Sequence, residues 1–272
     1  MYGALLGDII GKPYEFSRKV SSRDFRLFGN SSRFSDDSVM TIAVADAFLK
    51  LRAKGITEIK ADDPECERTF KDLLIDSLKK WGREYPDAGY GGRFFNWLMS
   101  GDRTPYGSYG NGSAMRVSPA GYVSEDLETT IKVAAWTAEV THDHPEGVKG
   151  AEAVAAAIFM ARKGSTKAEI KEFIGTRFGY DLSRTVDEIK PGYSFDVSCQ
   201  GSVPESIICF LEADDFESAV RNAVYLGGDT DTMGAIAGSI AEAFYGVPEE
   251  LKEECLSRIT PFMEEVLKEF MG

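Results

Sequence analysis

Histidine and cysteine are scarce in this 272-residue chain. His142 and His144 are the only histidines, and Cys66, Cys199, Cys209 and Cys255 stand in no paired spacing. A His-rich or Cys-rich zinc site is thereby excluded, and the thiols are expected to be free, as in a reducing compartment. Positive charge is also short. Lys and Arg number 31 against 44 Asp and Glu, a formal net charge of −13. Such a chain lacks the basic surface that binds nucleic-acid backbones or anionic lipid, though it suits cations. No apolar run reaches the roughly 18 residues of a membrane span. The opening MYGALLGDIIGKPYEF has no basic flank and carries Asp8, so it does not read as a signal peptide. A cytoplasmic protein without membrane or nucleic-acid partners is expected.

Strand patterns are nearly missing as well. YSFDVS (Tyr193 to Ser198) is the one clear alternating segment, and it fits either a short strand or an extended loop. Helical periodicity dominates. DDFESAVRNAVYLGG puts Phe216, Ala219, Val220, Ala223 and Val224 on one stripe and stops at paired glycines. SEDLETTIKVAAWTAEV, PEGVKGAEAVAAAIFMARKG, STKAEIKEFIG and the stretch from Asp63 to Trp81 read as further helices, the third ending at its glycine. PEELKEECLSRITPFMEEVLKEF reads as a surface helix interrupted at Pro261. No linker divides the chain, so one all-α domain over residues 1–272 is expected. Two long loops, at Gly89–Gly112 and Tyr180–Pro204, are expected to carry function.

What the chain does have is acids at helix starts. FSDDSVMTIAVADAF and GGDTDTMGAIAGSIAEAF share a plan: an acid pair, a hydroxyl residue, Met, then a small-residue apolar helix ending in Ala-Phe. Capping needs only one oxygen, and a second acid adds repulsion. Ser35, Asp36 and Asp37, with Asp229, Asp231 and Thr232, offer six oxygen side chains, the donor type that Mg²⁺ and Mn²⁺ prefer. Facing each other, they suit two ions at the spacing of dinuclear hydrolytic sites. Ordinary capping is the competing reading. Glu15 sits in a Gly-Lys-Pro turn, as a surface acid or as a mobile acid near the metals.

Glycine loops complete the inventory. SYGNGSAMRVSPAG (Ser108 to Gly121) lets backbone N–H groups approach an anion ahead of a helix start. It is not a Walker or dinucleotide fingerprint. AGYGGRFFNWL (Ala88 to Leu98) joins glycines to aromatics that stack on a base or fill core. THDHPEG (Thr141 to Gly147) lies between two helices, its histidine suited to phosphate or to capping.

Taken together and in order, GALLGDIIGKPYE, FSDDSVMT, GNGSAMR, THDHPEG and LGGDTDTMGAIAGSIAEAFYG resemble the ADP-ribosylglycohydrolase family, from Tyr2 to about Pro248 with the last helix outside. The resemblance implies a compact, orthogonal multi-helix bundle with a dinuclear centre of two Mg²⁺, or Mn²⁺ in some members. It implies hydrolysis of the N- or O-glycosidic bond between ADP-ribose and an acceptor, an ADP-ribosylated protein or a small-molecule conjugate. It assigns metal binding to Ser35, Asp36, Asp37, Asp229, Asp231 and Thr232. Contacts to ribose and diphosphate fall to Gly110, Asn111, Gly112 and Ser113, with His142 as the loop histidine. Glu15 becomes the acid/base or substrate gate, and Asp37 joins it as a catalytic carboxylate. Serine stands at 35 and 38 where the family often has threonine, keeping the hydroxyl. The acceptor-facing segments are least alike and leave the acceptor open. A monomer is the simplest assembly. A two-metal phosphoester hydrolase and a non-catalytic ADP-ribose-binding protein are the alternatives.

Overall fold

The computed structural model describes residues 1–16 and 20–272, and among them there are helices and no strand. In chain order they are α1 (Tyr2–Gly11), α2 (Asp36–Ala53), α3 (Pro64–Glu84), α4 (Gly92–Met99), α5 (Gly112–Met115), α6 (Leu127–Glu139), α7 (Pro145–Arg162), α8 (Lys167–Phe178), α9 (Val186–Ile189), α10 (Cys199–Leu211), α11 (Phe216–Leu226), α12 (Thr230–Tyr245), α13 (Glu249–Arg258) and α14 (Pro261–Met271). Single 3₁₀ turns follow α1 (Lys12–Tyr14) and α5 (Ser118–Tyr122). No helix is long and apolar enough to cross a membrane. All four cysteines are free and buried.

The echoed segments are the two central helices. Every residue from Asp37 to Phe48 of α2 and from Thr230 to Ala241 of α12 is buried, as expected for helices apolar on all sides. α1 lies along α12 with backbones in contact. A Cβ added at Gly3, Gly7 or Gly11 would stand 2.2, 2.0 and 2.2 Å from the carbonyl oxygens of Gly238, Gly234 and Thr230. Glycine every fourth residue on one face of α1 therefore fixes the separation and register of the pair. α2 packs on α3 and α14, α6 on α7, and α11 on α12.

Several sequence expectations give way. Tyr193 to Ser198 forms no strand; the segment contributes one isolated bridge, between Ser198 and Gly110. The 89–112 loop holds α4, whose start at Gly91 and Gly92 has no side-chain cap to announce it. The 180–204 loop holds α9 and the start of α10. Pro204 falls inside α10, only a turn and a half from its Ser198 cap, so it removes one early hydrogen bond without ending the helix. α8 runs through Gly175 and stops at Gly179, which takes a left-handed conformation (φ 71°). The last segment is two helices. The second, α14, buries Met263, Val266, Leu267 and Phe270 rather than lying on the surface.

Candidate metal centre and ligand cavity

The first turns of α2 and α12 meet beside the end of α1. Three other helices begin with an aspartate whose own side chain caps the backbone: Asp63 for α3, Asp126 for α6 and Asp215 for α11. Neither Ser35 nor Asp229 does this for α2 or α12. Capping therefore does not account for the acids there.

At α2 the exposed amides are satisfied from outside. Asp8, on α1 and fully buried, accepts from Ser35 N (2.8 Å) and Ser38 N (3.0 Å), and from the hydroxyls of Ser35 (2.7 Å) and Ser38. The Ser35 hydroxyl also reaches Asp37 Oδ2 (3.0 Å). With its own helix capped by a neighbour, Asp37 does no capping, and its Oδ1 is buried with no hydrogen-bond partner. At α12, Gly227 and Gly228 turn the chain with φ of 87° and 84°, and a Cβ at Gly228 would meet the Tyr193 ring at 2.7 Å. Asp229 Oδ2 then accepts from Asn111 Nδ2 (2.7 Å). Asp231 Oδ1 takes the Thr232 amide (3.1 Å), and its Oδ2 takes Lys12 Nζ (2.9 Å).

Two carboxylate triples result, Asp8–Asp37–Asp231 and Glu15–Asp229–Asp231, the oxygens of each within 4.8 Å of one another. Asp231 belongs to both. Groups of this composition can hold a hard metal ion. Without one, the charges are hard to accommodate. Burial, then the charge of Asp231, pushes Asp8 up to about 6, Glu15 to about 7 and Asp36 to about 8. The same causes drive Asp37 and Asp229 well above the carboxylate range. Burial opposes the charge on Lys12, but Asp231 and Glu15 more than offset it and raise its pKa. The oxygen-only donor set, the mutual repulsion and the orphaned Asp37 oxygen all fit a divalent cation.

A cavity of about 490 Å³ opens over this cluster, within the range of about 300–1,000 Å³ usual for small-ligand sites. Glu15, Asp36, Asp37, Asp229, Asp231 and Thr232 form its acidic end. Gly110, Asn111, Gly112 and His142 line it further along. His142 is buried, its Nδ1 2.8 Å from Thr141 Oγ1. Burial, then the Arg116 charge, holds its pKa well below the usual range, so the ring is neutral. A Cβ at Gly112 would lie 3.1 Å from His142 Nε2, so glycine there gives the ring its room.

Two expected residues sit differently. Ser113 does not line the cavity; its hydroxyl donates to Gly147 O (2.7 Å) and the side chain is fully buried. Ser35 also lies behind the cavity wall, its hydroxyl engaged by Asp8 and Asp37. Three residues of the site escaped the sequence reading. Asp8 and Lys12 were signalled only by being charges inside or just after an apolar helix. Arg116, inside GNGSAMR, is fully buried and lines the cavity. Its Nη2 donates to Thr137 O (2.9 Å) and Thr141 Oγ1 (2.8 Å), fixing the residue that holds His142.

Known proteins match this chain along nearly its whole length. A family model described as ADP-ribosylglycohydrolase matches residues 1–271, so the match continues through the terminal helices that the motifs left outside. ADP-ribosylhydrolase ARH3 of mouse is 27% identical over 333 residues, covering 93% of this chain and 85% of the mouse protein. The human ARH3 is 26% identical, covering 93% and 87%. A solved structure, of an ADP-ribosylglycohydrolase-related protein complex, superposes with a TM-score of 0.65 at 23% identity, over 97% of this chain and 91% of that one, and so shares the fold.

Proposed function

The chain belongs to the ADP-ribosylglycohydrolase family and is a glycohydrolase, and from that premise we propose a metal-dependent enzyme that releases ADP-ribose from an ADP-ribosylated protein or a small-molecule conjugate. The carrying observation is the pair of acid-rich helix starts whose cap residues, Ser35 and Asp229, make no side-chain cap bond of their own, with one buried carboxylate oxygen left unpartnered. Two Mg²⁺ ions, or Mn²⁺, suit the two triples that share Asp231. Asp37, Asp229 and Asp231 of these triples, with Asp36 and Thr232 from the same two helix starts, are the proposed direct holders, and Asp8 and Glu15 are given supporting and acid/base roles instead. Ser35 and Asp8 position Asp37, and Asn111 positions Asp229. When bound, such ions supply positive charge that orients ribose hydroxyls and makes water more acidic.

The rest of the chemistry falls to side chains. Gly112 keeps the space beside neutral His142 free of a side chain, a wall with room for the diphosphate and its adjoining ribose. Cleavage breaks the bond from the ribose anomeric carbon to the acceptor atom through an oxocarbenium-like state, and water oxygen bonds to that carbon. Glu15 lines the cavity at the edge of the carboxylate cluster, a position from which a carboxylate can serve as acid/base. In this scheme Glu15 takes the proton of the attacking water and passes it to the acceptor atom that leaves with the bonding pair, so that ADP-ribose gains the hydroxyl and the acceptor gains the hydrogen. Asp37, with its orphan oxygen, is the second essential carboxylate. Buried free thiols suit a reducing, cytoplasmic setting, and a monomer contains every residue the scheme uses.

The test is release of free ADP-ribose from arginine- and serine-ADP-ribosylated proteins, with Mg²⁺, Mn²⁺ or a chelator. Metal-dependent release supports the scheme and identifies the acceptor. Release undiminished by chelator, or release of phosphate in place of ADP-ribose, refutes it.

A further inference from the structure

A cation backs the acidic end of the cavity: Lys12 is ion-paired with Asp231 and Glu15 without itself lining the cavity. Gly11 lies so close to α12 that a Cβ on it would be 2.6 Å from Asp231 Cα. The next residue, Lys12, is delivered by that contact to the side of Asp231. Its backbone N–H closes α1 on the Asp8 carbonyl, and a 3₁₀ turn over Lys12–Tyr14 follows. Nζ donates to Asp231 Oδ2 (2.9 Å) and to the Glu15 carboxylate. Gly89, at a φ of 107°, passes close by: a Cβ there would stand in ordinary contact, 3.5 Å from Nζ. Among the described residues, no other cation is ion-paired with any acid of the two triples. The ammonium is therefore seated on Asp231, the carboxylate that both triples share.

We infer that Lys12 is a built-in counter-cation that competes with divalent ions for Asp231, sparing the metal-free protein part of its carboxylate repulsion and weakening metal binding. This rests on the metal reading of the site proposed above. A unit positive charge on a shared ligand offsets part of the repulsion when no metal is present, and repels a divalent ion that approaches the same oxygens. Removing it leaves the carboxylates more repelled when empty and more attractive to a divalent ion. At side-chain distances in a partly buried site, one such charge is worth at least about a factor of ten in divalent-ion affinity.

The experiment compares the full-length wild type with Lys12→Met, Lys12→Gln and Lys12→Arg. Mn²⁺ affinity is measured by calorimetry, and melting temperature is measured in chelator and in Mn²⁺. The neutral variants are expected to bind Mn²⁺ at least about tenfold more tightly. They are also expected to melt lower than wild type in chelator and to gain more from added Mn²⁺. Lys12→Arg, which keeps the charge, is expected to stay near wild type. Two neutral variants guard against one failing to fold. Equal or weaker Mn²⁺ affinity in the neutral variants overturns the inference, even if their melting temperatures fall, because a purely structural lysine would lower both melts alike. Should neither wild type nor neutral variants bind Mn²⁺, the metal reading itself fails, a result distinct from equal binding by all.

Discussion

Replacing Asp36 by Asn should stabilise the metal-free protein while removing its response to metal. Burial and the charges of Asp231 and Asp8 raise Asp36 from 3.8 to about 8. A carboxyl shifted this way binds its proton more tightly in the native state than in the unfolded chain. It therefore costs stability at any pH above its unfolded pKa. Each pK unit is about 1.36 kcal/mol, so the full shift, taken at pH 7.5, corresponds to about 5 kcal/mol. The cavity admits water to Asp36, and neighbouring carboxylates share the proton load, so a gain of about 1–3 kcal/mol is the reasonable expectation. Unfolding entropy of about 2.1 cal/mol/K per residue amounts to roughly 0.57 kcal/mol/K for this chain. The melting temperature in chelator should rise by roughly 2–5 °C. Asn keeps the shape, and the Asp36 amide still donates to Ala88 O (3.0 Å). The assay is thermal unfolding at pH 7.5, in chelator and in Mg²⁺ or Mn²⁺. A variant less stable than wild type in chelator, or one that keeps the wild-type metal response, would refute the reasoning.

Three further outcomes follow from the same geometry. Gly7→Ala puts a Cβ 2.0 Å from the Gly234 carbonyl oxygen, where only backbone can yield; a loss of at least about 2 kcal/mol in urea unfolding is expected despite alanine's better helix propensity. In chelator, Asp8, Glu15 and Asp36, raised to about 6, 7 and 8, make the native state hold more protons than the unfolded one, so stability should fall as pH rises from about 4 to 8. Saturating metal should flatten that slope, and chelated protein growing more stable from pH 5 to 8 would contradict it. Asn111→Ala removes the 2.7 Å bond to Asp229 and should weaken Mn²⁺ binding by roughly 10–100-fold, the usual range for a residue that orients a ligand; unchanged calorimetric affinity would count against that role.

The helices were legible where local chemistry announces them. Thr166 and Glu169 form a reciprocal cap at the start of α8, and Asp63 caps α3 ahead of Pro64. α4 was hidden because its first residues are glycines with no capping side chain. α10 was hidden because Pro204 normally argues against a helix. In the candidate site, the acids of α2 and α12 were visible as a repeated pattern exceeding what capping needs. Asp8 was not, since its four bonds join residues about thirty positions apart and leave no trace in local spacing. Lys12 likewise acquires its meaning from the glycine contact between α1 and α12. Ser113 shows the opposite error: a residue of the right type in a binding loop whose hydroxyl is spent on Gly147.

The central claim is that the acids at the starts of α2 and α12 hold divalent cations beside the ADP-ribose cavity. Anomalous X-ray scattering from Mn²⁺, in crystals grown with ADP-ribose, tests it most directly. Manganese is expected between Asp37 and Asp231 and between Asp229 and Asp231, with ADP-ribose in the cavity against Gly110, Gly112 and His142. Bound ADP-ribose with no manganese among these carboxylates, at metal concentrations that support activity, would contradict it.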